Sequence, residues 1–409
     1  MTTHDAPEHT TPQLQLPFFE FIVLLAVLMA MTALSIDVML PVLPDIGEAF
    51  KVTTPNDRQL VVASYLVGLA VGQLGWGPIS DRLGRRPPLL IGLAIFVGAG
   101  VAALSVTSFN LLIVARFVQG LGGAAARIVA TAIIRDLFSG RQMSRVMSTV
   151  MTVFILVPVL APSVGQAVAR FGGWRATFYV LIGVGLLAIA WSGFRLPETR
   201  ATHGAAGPLG LRKALRLVLG SRATVTYGVA SGFTFGCLVT YISSAQQIFV
   251  DVFKLGSLFP IAFGAVASAM AIASFTNARF VQRIGMRRLS HSALVAFTLV
   301  AGALALIALF TEPPLFVVGP MLGTCFFLFG IVQPNFNAIA MQPVARAAGL
   351  AASLIGSYTT AAGAIVGALI ARQFDGTVLP LSAGFAILGF CALITVFAYE
   401  GASGMFRGE

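Results

Sequence analysis

Charge is rare in this chain, so the places where it interrupts long apolar runs are where chemistry would be done. Asp37, in SIDVMLPVLPDI, is the one acid well inside such a run in either half. A carboxylate at that depth costs about 2.5–3.5 kcal/mol even on mild insertion scales, so it is expected to face a cavity or a partner. A group so placed can take up and release a proton as its surroundings change. The plainer alternative puts Asp37 near the outer interface, helping to end the helix before Pro41 and Pro44. The other intramembrane charges are Arg116 and Arg127, in LLIVARFVQGLGGAAARIVATAIIRD. Eleven residues apart, they fall within about 20° of one helical face, which Gly120 and Gly123 share. Such a stripe should line a wet cavity or meet an acid. By helix rise Arg116 lies roughly 9 Å and Asp37 roughly 6 Å from the same membrane surface, so the two are expected to pair, with Arg127 out of reach.

A second cluster sits in GPISDRLGRRPPLL, residues 77–90. Gly77, Gly84 and three prolines stop the flanking helices, leaving Asp81, Arg82, Arg85 and Arg86 in a tight turn. In isolation each arginine reads as a topology signal.

These groups need elements that hold them in a membrane. Hydrophobic residues make up 57% of the 409 and charged residues 10%, far below the roughly 25% of a soluble domain. Apolar runs of about 20 residues recur from end to end, each long enough to cross a bilayer, and lack the alternation of an outer-membrane barrel. Twelve spans are predicted, the first at 18–40, the fifth at 142–168 and the last at 379–400. With both termini inside, the inner loops carry 17 Lys and Arg and the outer loops six. That bias explains the net charge of +11 as a topology signal with some attraction to anionic lipid, not as nucleic-acid binding. Both termini are therefore expected in the cytoplasm. The polar first residues lack the basic n-region of a cleaved signal peptide.

The predicted organisation is an N-terminal tail at 1–17, a six-span half at 18–195, a cytoplasmic linker at 196–221, a second half at 222–402 and a tail at 403–409. Within the linker, LRKALRLVLGSR reads as a short amphipathic helix on the inner leaflet. RFVQRIGMRR at 279–288 stands where DRLGRR stands in the first half, with Gln282 in place of Asp81. The second half has no acid well inside a span, and all four histidines fall outside spans or at their edges. Cys237, Cys325 and Cys391 lack metal-ligand spacing, and no metal site is expected. None of the three lysines stands in a Walker A context, so no nucleotide drives the protein and no cofactor is expected. Without a nucleotide site the chain reads as a secondary transporter, driven by a gradient.

The ordered pattern G-x-x-x-D-R-x-G-R-R resembles the loop between spans 2 and 3 of the major facilitator superfamily. That resemblance implies an all-α integral membrane fold of twelve helices in two pseudo-symmetric six-helix bundles around a central cavity. It further implies that Asp136 pairs with Arg85 or Arg82 and that Asp81 caps the start of span 11 near residues 346–349, locking the halves on the cytoplasmic side. The R-x-x-Q-G of Arg116, Gln119 and Gly120 is similar to the span 4 motif of the superfamily's drug:proton antiporters, in which the arginine is tied to proton transfer. Pro158, Pro162 and Gly165 in span 5 resemble the antiporter motif of exporters, although Ala161 and Gln166 stand where the fuller motif has glycine.

Taken together, these stretches resemble the bicyclomycin/chloramphenicol resistance (Bcr/CflA) group. The resemblance implies an exporter of small amphipathic compounds in the bacterial inner membrane with a proton gradient as its energy source; a monomer is expected, and the lack of clustered intramembrane acids argues against an enzyme. Candidate cavity residues are Tyr65, Gln119, Tyr241, Gln246, Gln333, Asn337 and Tyr358. Gly356, Gly363 and Gly367 form a small-residue stripe that could face span 2. Two alternatives stay open: an exporter of one anionic or zwitterionic metabolite, favoured by two arginines against one acid, and a membrane sensor that carries no flux.

Overall fold

A computed structural model describes residues 16–138, 140–199 and 211–405. Most of the N-terminal tail, the middle of the linker and residues 406–409 lie outside these. Every regular element among the described residues is helical. The first half comprises α1 (Phe18–Asp37), α2 (Leu43–Ala49), α3 (Leu60–Leu83), α4 (Arg86–Ser105), α5 (Phe109–Leu137), α6 (Gly140–Gly172) and α7 (Arg175–Arg195). A short helix α8 (Leu211–Gly220) leads into α9 (Arg222–Gln246), α10 (Phe259–Ile284), α11 (Met286–Phe310), α12 (Leu315–Met341), α13 (Ala348–Ala371) and α14 (Leu379–Gly404). Eleven helical stretches among the described residues are long and apolar enough to cross a membrane. The 33-residue α6 is a twelfth long helix, where the fifth span is expected.

The first span is longer than the sequence suggests. Its helical path runs from Phe18 to Ala49 instead of ending at residue 40, so Asp37 stands about 18 Å from the far end by helix rise. Asp37 is therefore deeper than its distance from Pro41 implies. Proline 41 breaks the path without ending it. It has no N–H to offer the Asp37 carbonyl, so α1 stops there and the chain continues through a tight turn, Leu40–Val42, into α2.

Each half packs mainly on itself. Helix α5 is the hub of the first, lying against α3 and α4. Glycine makes that approach possible: a Cβ on Gly68 would sit 1.9 Å from the Phe117 carbonyl oxygen, and one on Gly120 2.0 Å from that of Tyr65. In the second half α9 packs on α13 and α14, and α12 on α10 and α11. Of the span 11 glycines, Gly356 faces α3 at Gln73, while Gly363 and Gly367 face α9. The expected stripe is thus divided between two neighbours, because α13 lies between α3 and α9. The linker helix α8 docks on the second half, burying Ala214 and Val218 against Val344, Ala347 and Ala351.

The halves meet along two seams, α3 on α13 and α6 on α10. On the first, Ser357 Oγ donates to the Ala70 carbonyl at 2.7 Å and Gln73 Nε2 to Thr360 Oγ1 at 3.3 Å. At the end opposite the Leu83–Arg86 turn the halves are also tied by polar groups. Arg58 pairs with Asp251 at 2.9 Å and Arg372 with Asp57 at 2.6 Å. Gln247 donates to Asn56 at 2.6 Å, and Asn56 in turn donates to the carbonyls of Arg372 and Phe374. A π-helical turn at Gln247–Val252 presents Gln247 and Asp251 to this junction. That end of the molecule is closed.

Candidate functional site: the break in the first span

The helix break creates the site. Beyond Asp37 the Met39 N–H bonds to Ile36 O, so the Ser35 carbonyl loses its usual i+4 donor. Arg116 takes its place. Its guanidinium donates to Ser35 O at 2.8 Å, to Val61 O at 3.2 Å and to Gln119 Oε1 at 2.6 Å, and it lies 4.6 Å from the centre of the Tyr65 ring. Arg116 is 0% exposed. Three hydrogen bonds and a cation–π contact make that burial tolerable, and they tie α5 to α1 and α3.

Asp37 is 3% exposed, yet no hydrogen bond or ion pair among the described residues reaches its carboxylate. The expected Asp37–Arg116 ion pair is therefore not formed here, because the guanidinium is filled by the carbonyls around the break and by Gln119. The acid instead lies within electrostatic reach of Tyr241, on α9 of the other half. Tyr241 belongs to an aromatic cluster, stacked on Phe263 at 5.2 Å and 4.6 Å from Phe326 between ring centres. Gly165 of α6 closes the break from another side: a Cβ there would fall 2.1 Å from the Val38 carbonyl oxygen. Pro158 and Pro162 lie within the same helix.

The face carrying Arg116, Gly120, Gly123 and Arg127 divides in function. Gly120 and Gly123 are buried against Tyr65, Gly123 also against Phe96, and so pack helices together instead of lining a cavity. Arg127 is exposed, and it lies within electrostatic reach of the buried Tyr65. No hydrogen bond or ion pair of its side chain is found among the described residues. Of the cavity candidates, Tyr65, Gln119, Tyr241 and Gln246 are buried. Gln119 is turned to Arg116 as a support, and Tyr65 lies under the same guanidinium. Gln333 is half-buried and bonded by Thr234, Asn337 is exposed, and Tyr358 is 44% exposed.

At the other end of the first half, Arg85 is the centre of the basic turn. It donates from Nε to Asp136 Oδ2 at 2.6 Å, from Nη2 to Asp136 Oδ1 at 3.2 Å and from Nη1 to Asp81 Oδ1 at 2.7 Å. Burial alone would lower the Arg85 pKa, but these bonds to Asp136 and Asp81 outweigh it and raise it. Gly84 makes the turn at φ 90°, where a Cβ would strike the Glu198 carboxylate. Glu198 accepts from the backbone N–H of Arg85 at 2.7 Å and of Arg86 at 3.1 Å, capping the start of α4. Arg86 also bonds to the Gly193 carbonyl. The turn is shorter than the spacing predicts: Gly77 and Pro78 do not stop α3, which runs on to Leu83 and carries Asp81 and the exposed Arg82 in its last turn, and α4 begins at Arg86.

One expectation fails here. Asp81 does not cap span 11, since Arg85 lies four residues on and the Gly84 turn folds it back onto the acid. Helix α13 starts with no side-chain cap, and Arg135 reaches it instead, beside Gly349. Close approach across the halves on this side involves Gly77, where a Cβ would sit 2.7 Å from Ser353 Oγ. Glu198 was not singled out in the sequence. It follows the sixth span in LPETR, and only the fold brings it to a turn 112 residues earlier.

The family model of the Major Facilitator Superfamily matches residues 24–370. This chain belongs to that superfamily. It is 34% identical over 388 residues to a bicyclomycin resistance protein homolog of Haemophilus influenzae, covering 93% of this chain and 95% of the relative. A chloramphenicol resistance protein of Pseudomonas aeruginosa is 31% identical over 62% of this chain and 59% of its own length. Among solved structures, the D-xylose-proton symporter superposes with a TM-score of 0.76 at 16% identity, covering 93% of this chain and 97% of that one. The fold is thus that of a multi-pass transporter of the superfamily, which binds small molecules within a bilayer and is not an enzyme.

Proposed function

We propose that this transporter exports small amphipathic compounds in exchange for protons, with Asp37 carrying the proton. The observation that supports it is a carboxyl buried at a helix break, unpartnered among the described residues and within reach of the opposite half. Closing one end of the molecule over a carboxylate in that position costs several kcal/mol, whereas closing it over a neutral carboxyl costs much less. Protonation of Asp37 from outside therefore favours the outer-closed form. On the cytoplasmic side, deprotonation favours reopening outward with cargo. The aromatic wall of Tyr241, Phe263 and Phe326 offers flat apolar contact to an amphipathic compound. Arg116 is the positioning residue: it holds the break by bonding Ser35 O, two residues from the acid.

The orientation of the termini toward the cytoplasm, the bacterial inner membrane as location and the monomeric state belong to the same proposal. The names of the relatives support drug-resistance export as the physiological setting. The test is pH-gradient-driven uptake of several drugs into inverted membrane vesicles. Asp37→Asn should remove the response to the gradient; a variant that still follows the gradient as the parent does removes Asp37 from the mechanism.

Arg127 favours a second reading, export of an anionic or zwitterionic metabolite. An exposed guanidinium with no partner among the described residues attracts negative charge. Competition by matched cationic and anionic compounds in proteoliposomes separates the two readings. The second requires inhibition by anions that Arg127→Gln abolishes.

A further inference from the structure

The sequence places no acid well inside the spans of the second half and its histidines outside spans or at edges, yet the fold buries a titratable cluster there. His291, on α11, is 0% exposed. Its Nδ1 lies 2.6 Å from the Met405 carbonyl oxygen and its Nε2 lies 2.9 Å from the Tyr227 hydroxyl of α9. The same hydroxyl lies 2.7 Å from Glu400 Oε1 of α14. Arg287 Nε is 3.7 Å from that carboxylate oxygen. Tyr227 stacks on the imidazole, with Phe336 of α12 edge-on to both rings and Tyr399 of α14 edge-on to Tyr227.

Counting protons decides what this chain of contacts needs. Three bonds require three hydrogens: one between Nδ1 and the Met405 carbonyl, one between Nε2 and the Tyr227 oxygen, one between that oxygen and Glu400. The carbonyl can only accept. A neutral imidazole brings one hydrogen and the phenol another. With His291 neutral and Glu400 ionised, one of the three close pairs would be two lone pairs facing each other in a buried site. One further proton completes the chain. It resides on His291, giving imidazolium–phenol–carboxylate, or on Glu400, giving imidazole–phenol–carboxylic acid. Arg287 beside the carboxylate favours the first.

We propose that His291, Tyr227 and Glu400 form a proton-binding site of the second half, separate from Asp37, that holds one proton and thereby fastens the end of the last helix. The backbone serves this purpose. Gly401 turns the chain at φ 67° immediately after Glu400, and the following turn delivers the Met405 carbonyl to His291. Release of the proton removes one of three links between α9, α11 and the end of α14. The site lies at the same end as the Leu83–Arg86 turn, so by charge bias it titrates with the cytoplasm.

The test uses the full-length protein in nanodiscs. Nitrogen-15 spectra of the four histidines, with His291→Gln assigning the signal, report whether both ring nitrogens of His291 carry hydrogen. Infrared difference spectra against Glu400→Gln report a protonated carboxyl. At neutral pH one of the two signals is expected, unchanged in Asp37→Asn, and it should disappear as the pH is raised. A neutral His291 together with an ionised Glu400 at neutral pH overturns the proposal. Thermal unfolding gives a second readout. Glutamine at position 400 or 291 can donate to the Tyr227 oxygen without an added proton, so either variant should lose the fall in Tm that the parent shows on raising the pH. Retention of the parent's full pH dependence in both variants counts against the site, and if neither variant folds, the spectra of the parent still decide.

Discussion

Arg116 does its work through backbone carbonyls, and this sets what its replacements should do. Lysine keeps the charge but cannot serve Ser35 O, Val61 O and Gln119 Oε1 together from one ammonium. Each unserved buried group costs about 1–3 kcal/mol. Arg116→Lys should therefore unfold at lower temperature and, because Asp37 loses its fixed place, shift the pH profile of transport. A lowered Tm with an unmoved profile would make Arg116 purely structural. Gly165→Ala tests the other support of the break. Its Cβ would meet the Val38 carbonyl oxygen at 2.1 Å, so α6 must move away at a cost of roughly 1–3 kcal/mol. Transport should fall sharply while the protein still inserts; a fully active variant would show that close packing at the break is dispensable.

At the scale of elements, the closed end and the basic turn make different demands. Exposed ion pairs are worth about 0–1 kcal/mol each, so the Arg58–Asp251 and Arg372–Asp57 pairs hold the closed end only as part of a network with Asn56 and Gln247. Asn56→Ala combined with Gln247→Ala removes its middle and should shift the conformational balance toward the form open at this end by about fivefold per kcal/mol lost. Labelling of a cysteine introduced beneath this junction measures the shift, and unchanged labelling would mean that helix packing alone closes this end. The turn at Arg85 should be insensitive to pH. Its pKa is raised in the folded protein, so the stability it adds is fully present below the ordinary arginine value and is lost only above it. Between about pH 5 and pH 9 Arg85→Lys should therefore lower Tm by a constant amount. A difference that varies with pH would contradict this account of the turn.

What the sequence reveals follows from these same elements. Apolar runs of membrane length, the stop at Gly84 and the glycines of α3 and α5 act locally, and so they can be read without coordinates; Gly77 and Pro78 mislead, because α3 carries them inside the helix. The Arg85–Asp136 pairing was legible only through family resemblance, and the fold shows it directly. The partners of Arg116 were not legible, because a backbone carbonyl becomes an acceptor only where a helix breaks, and Pro41 bends the first span without ending it. Asn56, Gln59 and Gln247 are ordinary polar residues until two loops about 190 residues apart meet. Glu400 reads as a charge at the end of a span, and only the turn at Gly401 makes it part of a buried chain.

For the whole molecule, the two halves and the membrane potential form one machine only if a proton and a cargo compete for the same conformational choice. Asp37 stands at the break of the first span, facing the second half, where that choice would be made. Proton exchange on cargo binding can be followed without any gradient, in weakly buffered solution with a pH-sensitive dye. Addition of a transported drug to the purified protein should release a proton from the parent and none from Asp37→Asn. Equal release from both would place the exchangeable proton elsewhere.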